Sequence, residues 1–368
     1  MRPGSWNLDR IDTAFAGAAV EPAHWSDVME VVAQETGSFG CALFPIRGRS
    51  PHVPFTASLG ETFEKYFNEG WVKRDERYRA VPQMERFGVG TDLDYIDPDR
   101  MKRHAYYQEF LAPFGLNWFA GVRMAAGDDF LCLSIQRSAE QGPFQSDELS
   151  KLARLSRRLG AAAALSQSLG FARVEAASNA FELSGNAVIM LDRCAEIVRI
   201  NASAQRLIGN GIKIFARKIA SEDSTATAAL HSAIHLLLWT RTTSALMPPV
   251  VMPREGARPL LAYCTRLEGL SVDLLSPCQA MVVLIDPDRQ KYPPRETLIK
   301  AFDLTPAEAR LAAEIAAGRD ISAIASEFGI SKETARTQLR MIFAKTRVNR
   351  QAELVAVLAA AAFGHDNR

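Results

Sequence analysis

The chain has few cysteines, and none of them are spaced as a metal site or a disulfide framework would require. Five cysteines occur among 368 residues, and no two of them form a Cys-x-x-Cys pair. An odd number without such a pair argues against a disulfide-stapled scaffold and against a structural zinc site. A reducing compartment is therefore expected.

Long apolar runs and a large net charge are also missing. The longest apolar stretches, at 235–239 and 355–363, are far shorter than the roughly 20 residues that span a bilayer. The first ten residues, MRPGSWNLDR, contain no apolar signal core. The net charge is +1, so the chain as a whole is not a polybasic coat for nucleic acid. We expect a cytoplasmic protein that does not associate with membranes, with about two to three domains.

Motifs for catalysis and for nucleotide binding are absent as well. The sequence contains no G-x-S-x-G, no H-E-x-x-H and no G-x-x-x-x-G-K-[ST], and it has no acidic cluster of the kind that accepts a phosphoryl group in receiver domains. His231 and His235 would share one face of a helix, but no third ligand is evident nearby. We therefore expect no enzyme activity, no metal and no cofactor.

A stretch near the C-terminus predicts two helices joined by a tight turn. Apolar residues at helical spacing in 320–328 predict one buried face, and Gly329 suits the left-handed position that ends a helix. Ser331 is a good N-cap for a second helix, in which Ala335 and Leu339 would face inward. A short helix, a glycine-containing turn and a second helix form the helix-turn-helix arrangement that reads the DNA major groove.

The second of these helices leaves a basic face open. Between residues 331 and 350, six Lys or Arg residues stand against a single acidic residue, Glu333. A local excess of positive charge of this kind is typical of a surface that contacts phosphates.

The block around this segment resembles the LuxR/GerE-type DNA-binding domain. The match covers about 302–361 and includes the LTPAE opening at 304–308, the Ala-x-Gly at 316–318 and the I-x-x-I-A-x-x-F-G-I-S run at 321–331. Thr305 and Glu308 also predict the start of a helix through a capping box. The resemblance implies an all-α four-helix domain at 297–364.

The resemblance also implies which side chains contact DNA. Some would face base edges and specify sequence, while others would hold phosphates and position the domain. The implied set is Ser331, Lys332, Thr334, Arg336, Thr337, Arg340 and Lys345.

Domains of this type usually pair through their last helix. Val355, Leu358 and Ala362 are therefore the predicted dimer contacts. A homodimer with twofold symmetry would bind a palindromic operator in double-stranded DNA, and RNA polymerase would be a further partner.

Residues 1–145 predict an α/β domain behind a loose lead-in of about twenty residues. Helices are predicted at 24–36, 59–70 and 101–111, and strands at 41–46, 118–124 and 130–136, with Gly127-Asp128 as a hairpin turn. Domains with two such layers commonly enclose a small-molecule pocket, and the many aromatic residues between 63 and 119 fit either a packed core or the walls of that pocket.

One pattern in this domain resembles the autoinducer-binding domains of LuxR-type regulators. Tyr66-x4-Trp71-x3-Asp75 matches their aromatic–aromatic–aspartate pattern, in which the aspartate accepts a hydrogen bond from the ligand amide. Glu76 stands where proline follows the aspartate, and Thr62 stands where a tryptophan is expected, which argues against an acyl-homoserine lactone. A GAF-like sensor fold describes the domain equally well. The resemblance implies ligand contacts from Tyr66, Trp71, Asp75 and Trp118.

Residues 146–182 predict a long connecting helix. Apolar and small residues from 152 to 169 repeat in steps of three and four, as in a heptad seam. The seam fits a helix packed on its own domain, and it equally fits a parallel dimer helix that couples a sensor to an output.

Residues 183–290 predict a second α/β domain. Strands at 187–191 and 197–200 flank a turn, and Asn201 opens a helix. This order resembles the opening of a PAS domain, and further strands at 250–252, 260–266 and 279–285 would complete its sheet. PAS folds bind ligands or serve only for dimerisation, and both alternatives stay open.

Together these features predict an α+β multidomain protein. We expect a sequence-specific transcriptional regulator whose sensor domains respond to a small-molecule or protein signal. The alternative is an enzyme or metabolite-binding protein in which 1–290 is catalytic and the helix-turn-helix is accessory.

Overall fold

A four-stranded sheet, a five-stranded sheet and a group of helices follow one another along the chain of this computed structural model. The structure describes residues 6–48, 53–126, 129–239, 247–266, 274–289 and 293–361. The hairpin turn predicted at Gly127-Asp128 and the dimer contact predicted at Ala362 lie outside these ranges.

The first sheet is antiparallel, with the strand order β1-β4-β3-β2. Leu133 pairs with Leu43 on one side and with Val122 on the other, and all three side chains are fully buried. The bounds are β1 (Gly40–Pro45), β2 (Val89–Thr91), β3 (Leu116–Ala126) and β4 (Asp129–Ser138).

Helices cover both faces of this sheet. The bounds are α1 (Leu8–Val20), α2 (Trp25–Thr36), α3 (Gly60–Asn68), α4 (Val81–Phe87), α5 (Pro98–Met101) and α6 (Ser146–Leu183). The prediction of a loose lead-in is wrong, because α1 forms there. The Asn7 side chain accepts a hydrogen bond from the Arg10 backbone N–H at 3.0 Å, and Ile11 and Phe15 are fully buried one turn apart.

The segment predicted as one helix at 101–111 is divided instead. After α5 ends, Tyr106–Leu111 forms a π-helix and Ala112–Phe114 a single 3₁₀ turn. Tyr106, Tyr107 and Phe110 are all buried in one aromatic cluster. A wider helical turn brings these neighbouring aromatic side chains into the same core.

α6 contacts both sheets. Leu152, Leu155 and Leu159 are fully buried in the core beneath the first sheet. Further along, Val174 packs with residues of the second sheet, including Met190. The first half of α6 therefore packs within the core of the first domain, while the predicted domain boundaries stay predictions. The leucine seam is buried within the chain, which favours the packed-helix alternative over the dimer helix.

The second sheet is antiparallel, with the strand order β6-β5-β11-β10-β9. Its five strands confirm the strands predicted from the sequence, within a few residues at each end. The Asn201 side chain accepts hydrogen bonds from the backbone N–H groups of Val188 and Ala204, each at 2.9 Å, and so ties a strand to the helix it opens. The strands β7 (Ile212–Phe215) and β8 (Lys218–Ser221) form a separate two-stranded antiparallel sheet. The other bounds are β5 (Ala187–Leu191), β6 (Ile197–Ile200), α7 (Ala202–Gln205), α8 (Ser224–Trp239), β9 (Val250–Arg254), β10 (Ala257–Thr265) and β11 (Ala280–Ile285).

The C-terminal part is all-α. Four different helices contribute to one buried core, which includes Leu311, Ile315, Ile324, Ile342 and Leu358. The bounds are α9 (Arg295–Phe302), α10 (Pro306–Ala316), α11 (Ile321–Phe328), α12 (Lys332–Thr346) and α13 (Gln351–Ala360). Across the part of the chain that the structure describes, no helix is both long enough and apolar enough to cross a bilayer.

Candidate DNA-binding surface and ligand pocket

Side-chain caps and one glycine fix the turn between α11 and α12. Asp320 accepts a hydrogen bond from the Ser322 backbone N–H at 2.8 Å and starts α11. Gly329 ends that helix with φ +65°, in the left-handed region that glycine enters without steric cost. The Ser331 hydroxyl accepts from the Thr334 backbone N–H at 3.0 Å and starts α12. The predicted roles of Gly329 and Ser331 are confirmed.

One face of α12 is buried and the opposite face is open. Ala335 and Ile342 are fully buried in the helical core. The open face carries Arg336, Thr337 and Arg340, which share one side of the helix because they are spaced i, i+1 and i+4. The exposed residues of the implied DNA-binding set are Ser331, Lys332, Thr334, Arg336, Thr337 and Arg340.

The arginine at the centre of this face is only loosely held. An Arg336 guanidinium nitrogen lies 3.7 Å from a Glu333 carboxylate oxygen, with both side chains more than half exposed. Exposed ion pairs contribute little free energy. The Arg336 side chain can therefore turn towards another negatively charged group at small cost.

Lys345 holds two helices of the domain together, and its predicted phosphate contact stays a prediction. Its Nζ donates a hydrogen bond to Glu308 Oε2 at 2.7 Å, which ties α12 to α10. The same carboxylate accepts from the Thr305 backbone N–H at 2.7 Å in the predicted capping box. Burial alone would raise the pKa of Glu308. The hydrogen bonds from Lys345 and Thr305 together have a larger opposite effect, so the net pKa lies below its ordinary value. The structure thus assigns Lys345 to the scaffold of the domain.

The predicted dimer contacts on α13 also need correction. Leu358 is fully buried in the core shared with α10 and α12. Its side chain therefore cannot contact a second protomer, and that prediction is wrong. Val355 is partly buried and packs against the same core.

A cavity lies on the face of the first sheet that carries α3 and α4. Its volume is about 50 Å³. Tyr78, on its wall, is 41% exposed and marks where the cavity approaches the surface. The lining is mostly aromatic and aliphatic: Phe44, Ile46, Thr62, Phe63, Tyr66, Asp75, Arg77, Tyr78, Val81, Met84, Tyr106, Phe110, Leu111, Phe119, Cys132, Ser134 and Gln136.

Two of the four predicted ligand-binding residues line this cavity. The Tyr66 hydroxyl donates a hydrogen bond to Asp75 Oδ2 at 2.8 Å. The other carboxylate oxygen of Asp75 accepts from the Arg77 backbone N–H at 2.9 Å. Tyr66 and Asp75 are therefore brought together on one wall.

The two tryptophans do not line the cavity. Trp71 stacks on Phe110 with ring centroids 5.4 Å apart, and the Arg74 guanidinium covers its ring at 4.2 Å. Trp118 follows an irregularity in the pairing of β3 and packs against the aromatic core. The lining of this cavity does not support the predicted ligand contacts of these two residues, which stay predictions. Trp71 packs behind Phe110, which does line the cavity.

Arg77 lines the cavity and was not predicted. It is 6% exposed, and its Nη1 donates a hydrogen bond to Gln136 Oε1 at 3.0 Å. Its Nε lies 3.6 Å from Asp92 Oδ1, beyond hydrogen-bond distance. The centre of the guanidinium is 5.0 Å from the Phe119 ring centroid. The sequence carried no signal for this residue apart from its place two positions after Asp75.

Asp92 balances the charge of Arg77. This carboxylate is 1% exposed and accepts hydrogen bonds from the Tyr107 hydroxyl at 2.6 Å, the Tyr95 hydroxyl at 3.1 Å and the Phe119 backbone N–H at 2.6 Å. Burial by itself lowers the pKa of Arg77, but the Asp92 carboxylate and the nearby tyrosines together raise it by more, and the net pKa lies above its ordinary value. The guanidinium is therefore charged at any physiological pH.

Burial keeps two polar side chains of the cavity in their neutral forms. Burial raises the pKa of the Cys132 thiol to about 12, so this sulfur is not a ready nucleophile. Burial, with Asp75 as the next cause, raises the pKa of Tyr106 well above its ordinary value. The arrangement offers an apolar wall with a few fixed polar groups, which is typical of a small-molecule site.

The histidine pair lies in a second, wider cleft of about 420 Å³. His231 Nε2 is 2.9 Å from the Ile219 carbonyl oxygen, and the His235 ring stacks on Trp239 with centroids 4.3 Å apart. Within the described ranges, no group of three His, Cys, Asp or Glu side chains is placed to hold a metal ion.

Comparisons with known proteins give weak similarities only. No family model matches the chain, and no curated protein matches it. The chain is similar to the phage VqmA–DPO complex at 15% identity, over 54% of this chain and 91% of that chain, with a TM-score of 0.25. It is similar to CepR2 from Burkholderia cenocepacia, an N-acylhomoserine lactone dependent LuxR family transcription factor, at 15% identity over 41% and 92%, with a TM-score of 0.30.

Escherichia coli SdiA is similar over more of the chain. The identity is 14%, the alignment covers 94% of this chain and 90% of that chain, and the TM-score is 0.27. TM-scores this low do not establish a common fold. The fold and the two sites therefore rest on the residues described above.

Proposed function

We propose that this protein is a sequence-specific DNA-binding transcription regulator whose output is the helix-turn-helix of α11 and α12. The observation that carries the proposal is the open face of α12. Arg336, Thr337 and Arg340 stand there in one row on a helix that is capped at its start and buried along its back. An exposed, rigidly supported helix with a basic face suits entry into the major groove.

The charge on this surface supports phosphate contact beside base contact. Lys332 and Thr334 lie in the first turn of α12, close to the helix N-terminus. Backbone N–H groups and the helix dipole favour a negatively charged group at that position. Arg336 and Arg340 lie further along, where they would reach base edges; arginine pairs bidentately with guanine.

The N-terminal half is proposed to be the sensor. Its cavity between the first sheet and α3 would hold a small-molecule effector, in a domain of the autoinducer-binding or GAF-like kind. The second sheet would be a PAS-like domain that either binds a ligand or pairs with a second copy. An effector that binds one conformation better would shift the population of DNA-binding molecules.

A homodimer on a palindromic operator is part of this proposal, as are contacts with RNA polymerase and a cytoplasmic location. The pairing surface would have to use residues other than Leu358. We propose that the protein is not an enzyme, since a neutral buried thiol and hydrogen-bonded carboxylates supply no activated group in the cavity.

Selection from random double-stranded DNA tests the proposal. The purified full chain is expected to enrich one palindromic sequence, and an Arg336→Ala/Arg340→Ala variant is expected to enrich none. Lys300→Ala is the matched control, because Lys300 is exposed on α9, outside the helix-turn-helix. Failure of the wild type to enrich any sequence, or equal enrichment by the double variant, would overturn the assignment.

A further inference from the structure

The second cleft, about 420 Å³ in volume, lies where the N-terminal domain meets the second domain. Gly48, which follows β1, approaches the turn between β5 and β6 so closely that an added Cβ atom would overlap the Arg193 side chain. Small-molecule sites occur preferentially at domain interfaces, with volumes of roughly 300–1,000 Å³. The lining residues are Gly48, Arg193, Cys194, Ala195, Lys218, Ile219, His231, Ile234, His235, Leu238 and Trp239.

The described lining of this cleft carries positive charge and includes no Asp or Glu. Arg193 and Lys218 are cationic at neutral pH, and His231 and His235 add two imidazole rings. Lys218 is exposed, so its ammonium group can be approached from solution. A cleft lined by charges of one sign raises the local concentration of the opposite ion. The charge of this lining therefore favours an anion.

The two acidic residues of the adjoining turn are engaged outside the cleft. Asp192 Oδ1 accepts hydrogen bonds from the backbone N–H groups of Cys194 and Glu196, each at 2.8 Å. The Glu196 carboxylate lies 3.5 Å from Arg217 Nε. Neither Asp192 nor Glu196 is among the residues that line the cleft, so the positive charge there is not balanced by the turn.

The remaining lining is apolar and held in a fixed arrangement. The side chains of Ile219, Ile234 and Leu238 are buried and supply apolar surface to the cleft. His231 Nε2 donates to the Ile219 carbonyl oxygen at 2.9 Å, which ties α8 to β8. An occupant with an anionic group and an apolar ring would match both parts of this lining.

We propose that this cleft binds a small organic anion, in which a phosphate or carboxylate group pairs with Lys218 and Arg193 and an apolar ring contacts the aliphatic lining. The volume of about 420 Å³ accommodates a single ring together with its charged group. The site is separate from the N-terminal cavity. The inference goes beyond the proposed function, because it holds whether or not the chain binds DNA.

Calorimetry on the full chain, without DNA, tests the ligand class with three probes. Phenyl phosphate carries a ring and an anionic group, benzyl alcohol the ring alone and inorganic phosphate the anion alone. Phenyl phosphate is expected to bind about tenfold or more tightly than either of the others, since a charged hydrogen-bonded pair supplies at least that difference over a neutral group. Equal affinity for phenyl phosphate and benzyl alcohol, or for phenyl phosphate and inorganic phosphate, overturns the proposal.

A fourth probe, phenylacetate, identifies the anionic group. Tighter binding of phenyl phosphate than of phenylacetate would assign a phosphate ester to the site, and the reverse order would assign a carboxylate. Both orders support an organic anion, provided that the tighter of the two also binds more tightly than benzyl alcohol. Benzyl alcohol as the tightest probe overturns the proposal.

Two charge reversals on one hairpin place the binding in this cleft. Lys218→Glu is expected to lower the affinity for phenyl phosphate about tenfold or more, because the substitution puts a carboxylate into the lining. Lys213→Glu is the matched control, since Lys213 is exposed on β7, outside the lining, and its reversal changes the net charge equally. Equal losses in the two variants, or no loss in Lys218→Glu, would overturn the assignment to this cleft.

Discussion

Arg336 and Arg77 carry the same guanidinium group in opposite surroundings. The Arg336 side chain is 53% exposed, beside a carboxylate at 3.7 Å, and it keeps its water and its freedom to turn. Arg77 is 6% exposed, with a single hydrogen bond to Gln136 and aromatic rings around it. An exposed group of this kind suits DNA, whose phosphates and bases come to it in water. The buried group is instead fixed in place by Gln136 and by the neighbouring Phe119 ring.

Arg336→Ala is expected to weaken specific operator binding by about 1–3 kcal/mol, or roughly 5- to 150-fold in Kd, because the variant loses the proposed bidentate contact of this guanidinium with a base edge. Loss of the exposed pair with Glu333 should itself cost little. Mobility-shift titration on the selected operator measures the change, with Lys300→Ala as the control. Equal affinity of the two variants would remove Arg336 from the recognition surface.

The bond between Lys345 and Glu308 predicts a pH dependence in the C-terminal helices. The pKa of Glu308 is lowered in the folded state, so its contribution to stability is present above the ordinary value of 4.5 and is lost as the pH falls below it. Hydrogen exchange of the α10 and α12 amides, corrected for intrinsic rates, should show reduced protection below about pH 4.5. A Glu308→Gln/Lys345→Met variant should show a flatter pH profile; an unchanged profile contradicts the linkage.

At the scale of single elements, α6 shows how one helix serves two environments. Its first half buries a leucine seam under the first sheet, while the same helix exposes Leu165 at 43% and Phe171 at 49% on other faces. A seam in the sequence therefore identifies a buried face, but not the partner that buries it. The partner here is the sheet of the chain's own first domain.

Leu152→Ala is expected to lower the free energy of unfolding by about 2–5 kcal/mol, because the side chain is fully buried and its removal leaves a cavity. Leu165→Ala makes the same chemical change on the exposed side of α6 and should alter stability by no more than about 0.5 kcal/mol. Denaturant titration followed by tryptophan fluorescence compares them. Similar losses in both variants would mean that the exposed face is buried in solution.

Some elements could be read from local sequence and others could not. The strands of the second sheet alternate with clear turns, and the caps at Thr305 and Ser331 act within three residues, so local patterns sufficed. α1 has a weak pattern because half of its buried face is alanine, and α2 and α6 complete its packing from elsewhere in the chain. The π-helix at Tyr106–Leu111 depends on an aromatic core assembled from distant segments.

The residues of the candidate pocket can also be divided into those that the local sequence predicts and those that it does not. Tyr66 and Asp75 lie nine positions apart and form a local pattern that pointed to the wall of the cavity. Arg77 depends on Gln136, which is 59 residues away, and on the strand pairing that brings β4 beside it. When a charged residue is buried against so distant a partner, the sequence around that residue contains no pattern that predicts its burial.

At the scale of the whole molecule, α6 is the continuous connection between the first sheet and the second domain. Its first half shares a core with β3 and β4. Near its middle, Gly170 approaches the segment before β11 so closely that a Cβ atom there would lie 2.7 Å from Pro277 Cδ. The helix therefore packs tightly against this segment of the second domain.

Gly170→Ala is therefore expected to disturb the packing between α6 and the second domain. The added methyl group gains helix propensity but must displace Pro277, and overpacking of this kind costs about 1–3 kcal/mol. Gly160→Ala is the matched control on the same helix, because the nearest atom to its Cβ would be the Ala125 carbonyl oxygen at 3.7 Å, an ordinary contact, and it should stabilise the helix by up to about 1 kcal/mol. Hydrogen exchange of β5 and β11 should rise in Gly170→Ala and stay unchanged in Gly160→Ala. Equal protection in both variants would show that the contact at Pro277 does not hold the second domain against α6.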